Sequence, residues 1–226
     1  MAKPFGPDNT TVTLAGDTAT LRLAQTGAID ATEIDVNVDG GGSLQMDTPT
    51  SAALGNLTLK SGTVNVNGAP SDVTFAGAAL DADATEVGIN NAADVIINSP
   101  LLSNGATAAL TKTGNGQLAL AQGTTNLGNV SVSVGAGTLV TGAAMQAANL
   151  SAFGTGEINT GANDVTISDG GQFATPGLTI AGSGAAFTIG GDSVTTAGPQ
   201  RLGLTGGTVT ISAGSIPSGL VFHLDA

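Results

Sequence analysis

The chain has no cysteine, tryptophan or tyrosine, and only one histidine, His223. Without cysteine there is no disulfide, no thiol nucleophile and no zinc–thiolate site. His223 has no serine or acid beside it in a nucleophile elbow, and no Gly-x-Ser-x-Gly occurs anywhere, so it reads as a surface residue rather than a catalyst. Positive charge is scarce as well. Lys3, Arg22, Lys60, Lys112 and Arg201 are the five bases, set against 17 acids, for a net charge of −12. Nucleic-acid binding needs clustered lysine and arginine, and these are scattered, so that partner is excluded. Anionic membrane surfaces are disfavoured for the same reason. No segment approaches the ~20 apolar residues that a membrane-spanning helix requires. The opening "MAKPFGPDNTT" lacks an apolar run after its lysine and does not read as a signal peptide. An internal piece of an exported protein would have the same features.

Small side chains take the place of what is missing. Glycine makes up 35 of 226 residues, and 41% of the chain is hydrophobic, mostly Ala, Val, Leu and Ile. Disordered chains carry more charge and less Val and Ile, so this composition describes a folded chain built from small residues. The acidity reads first as solubility of an exposed surface.

A repeat organises the chain. Apolar alternation, a turn rich in Gly, Asn or Asp, and apolar alternation again recur in "TVTLAGDTATLRL", "TEIDVNVDGGGSLQM", "NLTLKSGTVNV", "EVGINNAADVII", "LTKTGNGQLAL" (110–120), "NVSVSVGAGTLV" and three later segments. First strands begin near 12, 34, 57, 87, 110, 130, 165, 178 and 202, with many steps of 20 to 24 residues. The longer gaps hold "DVTFAGAAL" (72–80) and "NLSAFGTGEI" (149–158), which read as further, degenerate strands. Alternation with period two makes these strands half-buried, and a repeat of this length means a solenoid, a propeller or an array. A propeller blade needs roughly twice the length. A sandwich fits the strand spacing, but a sandwich core would carry Trp or Tyr. Interchangeable Val, Leu, Ile, Ala and Phe at inward positions favour a parallel β-helix, in which like stacks on like. The expectation is an all-β chain, a single parallel β-helix (β-solenoid) of about ten irregular coils over 1–218. Segment 219–226 is then a C-terminal cap or the start of a truncated following domain. Helix is nearly absent; "GAAMQAANL" (142–150) is the one stretch suited to a helical turn or two. In the rung 110–120, the leucines point inward, Gly114, Asn115 and Gly116 turn a corner with positive φ, and Lys112 is exposed.

That rung carries a resemblance. Leu110-x-Lys112-x-Gly114-x-Gly116-x-Leu118-x-Leu120 resembles the autotransporter-associated β-strand repeat, and "SVSVGAGTLV" (131–140) resembles its downstream half. The match covers about 30 residues, 110–140. The resemblance implies a right-handed parallel β-helix in a large secreted or surface-bound bacterial protein, serving as a passenger stalk or adhesive surface. It implies an extracellular or cell-surface location and flanking domains of a longer chain. Host-surface or extracellular glycans are the implied partners.

Candidate chemistry is confined to acids. Asp30, Glu33, Asp35 and Asp39 fall within ten residues, and Asp81, Asp83 and Glu86 within six. Along Glu33-Ile34-Asp35-Val36-Asn37-Val38-Asp39 the odd positions face outward as a carboxylate row. Such a row, like Asp81 and Asp83, offers oxygens to Ca²⁺ or an acid pair to a glycosidase. Neither cluster fits a known calcium loop, and a solvated face is the preferred reading, with no metal and no catalytic residue assigned. Polysaccharide-degrading or carbohydrate-binding β-helices remain the alternative, since fold does not exclude function. Against them, the aromatics are six phenylalanines, Phe5, Phe75, Phe153, Phe173, Phe187 and Phe222, of which Phe153, Phe173 and Phe187 sit at inward positions. The Thr-x-Thr pairs Thr11/Thr13, Thr18/Thr20 and Thr208/Thr210 are too scattered for an ice-binding lattice.

Overall fold

The computed structural model describes residues 9–47, 49–68 and 72–159, and beyond them eight short strands from Val165–Ile167 to Leu220–Asp225. Among the described residues there is no helix, and every strand pairing is parallel, which makes a β-solenoid of about six turns. Consecutive strands lie on successive sides of one coil and pair with strands a coil away. In chain order they are β1 (Thr10–Leu14), β2 (Thr20–Leu23), β3 (Gly27–Ala31), β4 (Ile34–Asp39), β5 (Gly42–Met46) and β6 (Pro49–Asn67). Then follow β7 (Asp72–Leu80), β8 (Glu86–Asn91), β9 (Val95–Ile97), β10 (Leu101–Leu102), β11 (Ala109–Thr113) and β12 (Gln117–Leu120). The series continues with β13 (Thr125–Asn126), β14 (Ser131–Thr141), β15 (Met145–Ala147) and β16 (Asn149–Asn159).

Three stacks of strands result. Side one stacks β1, β4, the middle of β6, the end of β7 and β10. Side two stacks β2, β5, the end of β6, β8, β11 and the first halves of β14 and β16. Side three stacks β3, the start of β6, the start of β7, β9, β12 and the second halves of β14 and β16. Register partners lie 18 to 25 residues apart. The repeat read from the sequence is therefore one coil. The two apolar stretches of each repeat are not a hairpin; each belongs to a different side.

The core follows from this register. On side three, Ile29, Ala52, Val73, Val95, Leu118, Leu139 and Ile158 stack in one inward row, and all are buried. On side one the row is Leu14, Val38, Leu59 and Leu80. Burying each such side chain contributes roughly 1.5–3 kcal/mol, and each contact recurs with its neighbour coil, so stability is spread along the axis. Phe75 joins this core at 1% exposure, between Leu54 and Ile97. Phe153, Phe173, Phe187 and Phe222, with His223, lie outside the residues whose side chains are described, as do Phe5 and the pair Thr208/Thr210.

The degenerate segments 72–80 and 149–158 are strands, as expected. Segment 142–150 is not helical: it carries β15 and the start of β16. Met145 and Ala147 alternate inward with Gln146 outward, and β15 pairs with β13, so stacking decides over helix propensity.

Two expectations for the rung 110–120 change. Gly114 has φ of +81°, as the corner demands, but Gly116 and Asn115 do not have positive φ. Gly116 is needed for space, because a Cβ there would lie 2.4 Å from the Ala93 carbonyl oxygen of the coil below. Lys112 is the larger correction. It is 1% exposed, not solvated, and stacks in the inward row between Ile89 and Val134.

Candidate functional site

Three places on the solenoid gather polar groups, and they do not coincide. The first is the Lys112 corner, inside the coil. Gly114 and Gly137 both take positive φ there, and the Thr113, Gly114 and Ala136 carbonyls point inward. The Lys112 Nζ donates to the Thr113, Gly114 and Ala136 carbonyl oxygens at 3.2, 2.9 and 3.0 Å. An ammonium has three N–H groups, and here each finds one acceptor. Ala136 belongs to the next coil, so the lysine ties two rungs together. Gly137 has φ of +65°, and a Cβ there would lie 2.4 and 2.5 Å from the Gly116 and Gly114 carbonyl oxygens as well as 2.8 Å from Nζ, so the position facing the lysine requires glycine. Burial pushes the Lys112 ammonium down to about 8, with the Asp94 carboxylate opposing that shift. Below this corner, Asn91 is fully buried and donates from Nδ2 to the Ala93 and Gln117 carbonyls.

The second place is the acidic face of side one. The expected carboxylate row is only partly there. Glu33 is buried at 3% exposure because it lies before β4, where its carbonyl accepts the Thr10 N–H, so the strand's alternation does not extend to it. Asp35 and Asp39 do face outward, and each is engaged by the next coil. Asp35 Oδ1 accepts from the Asn56 N–H at 2.6 Å and from Asn56 Nδ2 at 3.1 Å. Asp39 pairs with Lys60 at 2.9 Å and accepts from the Ser61 hydroxyl at 3.1 Å. The Lys60 hydrogen bond, and then that of Ser61, hold the Asp39 carboxyl below its ordinary range, and Asp39 raises Lys60 in turn. Asp81 Oδ1 accepts the Asp83 N–H at 3.0 Å, closing the turn between β7 and β8. Among the described residues no three His, Asp or Glu side chains converge to hold a metal ion.

A calcium test follows from this geometry. Since Asn56 holds Asp35 Oδ1, and Lys60 and Ser61 hold both oxygens of Asp39, millimolar Ca²⁺ leaves the melting temperature unchanged. A bound ion at 100 times Kd adds ~2.7 kcal/mol, so a rise of several degrees, abolished by Asp35→Asn with Asp39→Asn, contradicts that assignment.

The third place is a groove of about 470 Å³ on the outer face of side two, where Thr63, Gly88 and Thr111 stand in register. Glu86 and Ala109 are paired beside them. Sequence reading missed this groove and the inward Asn91. Both carry a signal: Gly88 sits at an outward position of an alternating strand, and Asn91 shares the parity of Val87 and Ile89. Compared with models of protein families, with characterised proteins and with solved structures, the chain matches none.

Proposed function

We propose that the chain is a non-catalytic structural and adhesive stalk segment of a large bacterial surface or secreted protein. In this reading it is a right-handed parallel β-helix of about ten irregular coils over 1–218, with 219–226 as a cap or the entry to a further domain. It works outside the cell, joined to flanking domains, against host-surface or extracellular glycans. The observation that carries the reading is the unbroken inward row from Ile29 to Ile158. Apolar residues stacked coil on coil give length and lateral stiffness without a pocket. The resemblance of 110–140 to the autotransporter-associated repeat agrees with it.

A carbohydrate-active β-helix is the second reading, and one observation favours it. Lys60 feels Asp81 and Asp83 as well as Asp39, so a base and several acids share one corner of the coil. A polysaccharide panel separates the two. The purified chain is incubated with neutral, acidic and aminated glycans and followed for reducing ends and unsaturated products. The stalk reading expects no turnover. Turnover lost on mutating Asp81 and Asp83, or Asp35 and Asp39, establishes the enzyme instead.

A further inference from the structure

We propose that Lys112 is a register pin: its buried ammonium fixes which residues of β14 lie above β11. Apolar patterning does not settle this by itself. Shifting a strand by one residue turns its inward side chains outward, but a shift of two keeps every face as it was. On side two the native register sets Leu110 against Val132 and Lys112 against Val134. A shift of two sets Leu110 against Val130 and position 112 against Val132, and both valines are buried too. Similar aliphatic side chains exchange places in a core at small cost, so the hydrophobic rows accept either register.

Sterics close the choice one coil below and leave it open here. Below, Gly114 crosses the Asn91 backbone and Gly116 crosses Ala93, and at both crossings a Cβ would strike a carbonyl oxygen. A shift of two in either direction brings Lys112 or Leu118 to one of them. Above, the glycine at the crossing is Gly137, and two positions before it stands a second glycine, Gly135. The corner also absorbs irregularity: the pairing of β14 with β16 shifts register between Val134 and Ala136. What remains is Lys112. Its bonds to the Thr113 and Gly114 carbonyls are local and travel with β11. Its third bond, to the Ala136 carbonyl at 3.0 Å, crosses to the next coil. A two-residue shift puts Val134 in that place. The Val134 carbonyl faces Gly156 of the coil above, so one N–H of a buried ammonium is left without an acceptor. A single polar residue in an apolar seam fixes register in coiled coils for the same reason: only one alignment satisfies it.

The test is disulfide trapping in the full chain, which has no cysteine of its own. Thr111→Cys with Ser133→Cys reports the native register, and Thr113→Cys with Ser133→Cys reports the shift. Register neighbours have Cα atoms ~4.8 Å apart and shifted ones about 8 Å, beyond the ~7 Å that a disulfide spans. With Lys112 in place only the first pair closes. In the Lys112→Met background the second pair also closes, at about a tenth or more of the yield of the first. Leu118→Ala also destabilises these coils but keeps the lysine, so there the first pair closes alone. Lys112→Gln retains amide donors for the local carbonyls on a shorter stem; it too lets the second pair close, and decides the matter if Lys112→Met does not fold. The proposal is overturned if the second pair stays open when the lysine is replaced, or closes in wild type. It is overturned as well if that pair closes equally in Leu118→Ala, which marks loss of stability and not of register.

Discussion

Lys112→Met lowers the melting temperature by roughly 6–12 °C at pH 7, whereas Lys60→Met leaves it almost unchanged. Both lysines are hydrogen-bonded, but only one is buried. Removing Lys112 leaves the Thr113, Gly114 and Ala136 carbonyls without their donor inside a corner that water does not reach. Each buried carbonyl left without a donor costs about 1–3 kcal/mol, or about 6 kcal/mol for the three. Relief from desolvating the ammonium offsets part of this, for a net loss of about 3 kcal/mol, and each kcal/mol is worth about 2–4 °C in a domain of this size. The exposed Lys60–Asp39 pair is screened by solvent and contributes little.

The same lysine gives a pH dependence of definite sign. Its folded value of about 8 lies below the ordinary 10.5, so between these values the unfolded chain binds more protons than the folded one. The cost of the buried charge is fully present below pH 8 and is relieved as pH rises towards 10.5, a gain of about 3 kcal/mol. Thermal melts from pH 7 to 10 therefore show wild type gaining on Lys112→Met. Lys60, whose shift has the opposite sign, is present in both proteins and cancels. A constant difference across that range contradicts the assignment of Lys112 as a buried ammonium.

Leu118→Asp has the larger effect: the middle coils do not fold. Leu118 is 1% exposed and stacks between Val95 and Leu139. Truncation alone, as in Leu118→Ala, costs about 2–5 kcal/mol, and an unpaired carboxylate in the row adds several more. Because each coil leans on its neighbours, amide exchange should lose protection first at Val95–Ile97 and along β14, and last at β4. Equal protection in variant and wild type would place Leu118 outside the core.

Much of this was legible from alternation alone. The inward rows, the strands at 72–80 and 149–158, and the corner at Gly114 follow from period-two patterning and turn chemistry. Lys112 was legible too, and charge obscured it. It shares the parity of Leu110, Leu118 and Leu120, and the geometry follows parity, because the corner supplies the carbonyls that make burial tolerable. Glu33 failed for the opposite reason: alternation was extended one residue beyond the strand that justifies it. The partner of each strand was not legible, because adjacent apolar stretches look like hairpins while pairing reaches 18 to 25 residues away. The groove depends on three coils in register and has no local pattern beyond one outward glycine.

The central claim is that successive repeats stack as coils, and pairwise spin-label distances test it most directly. The chain has no cysteine, so labels go only where cysteines are introduced. On side three, Asp30, Ala53, Thr74, Ile96, Ala119, Val140 and Asn159 follow one another in register, one per coil. With one label at Asp30 and the second at Thr74, Ala119 or Asn159, the solenoid predicts backbone separations that grow linearly, about 10, 19 and 29 Å, at ~4.8 Å per coil. Distances that stop growing, or that fall back towards the ~10 Å between two facing sheets, would contradict the stack and restore the sandwich.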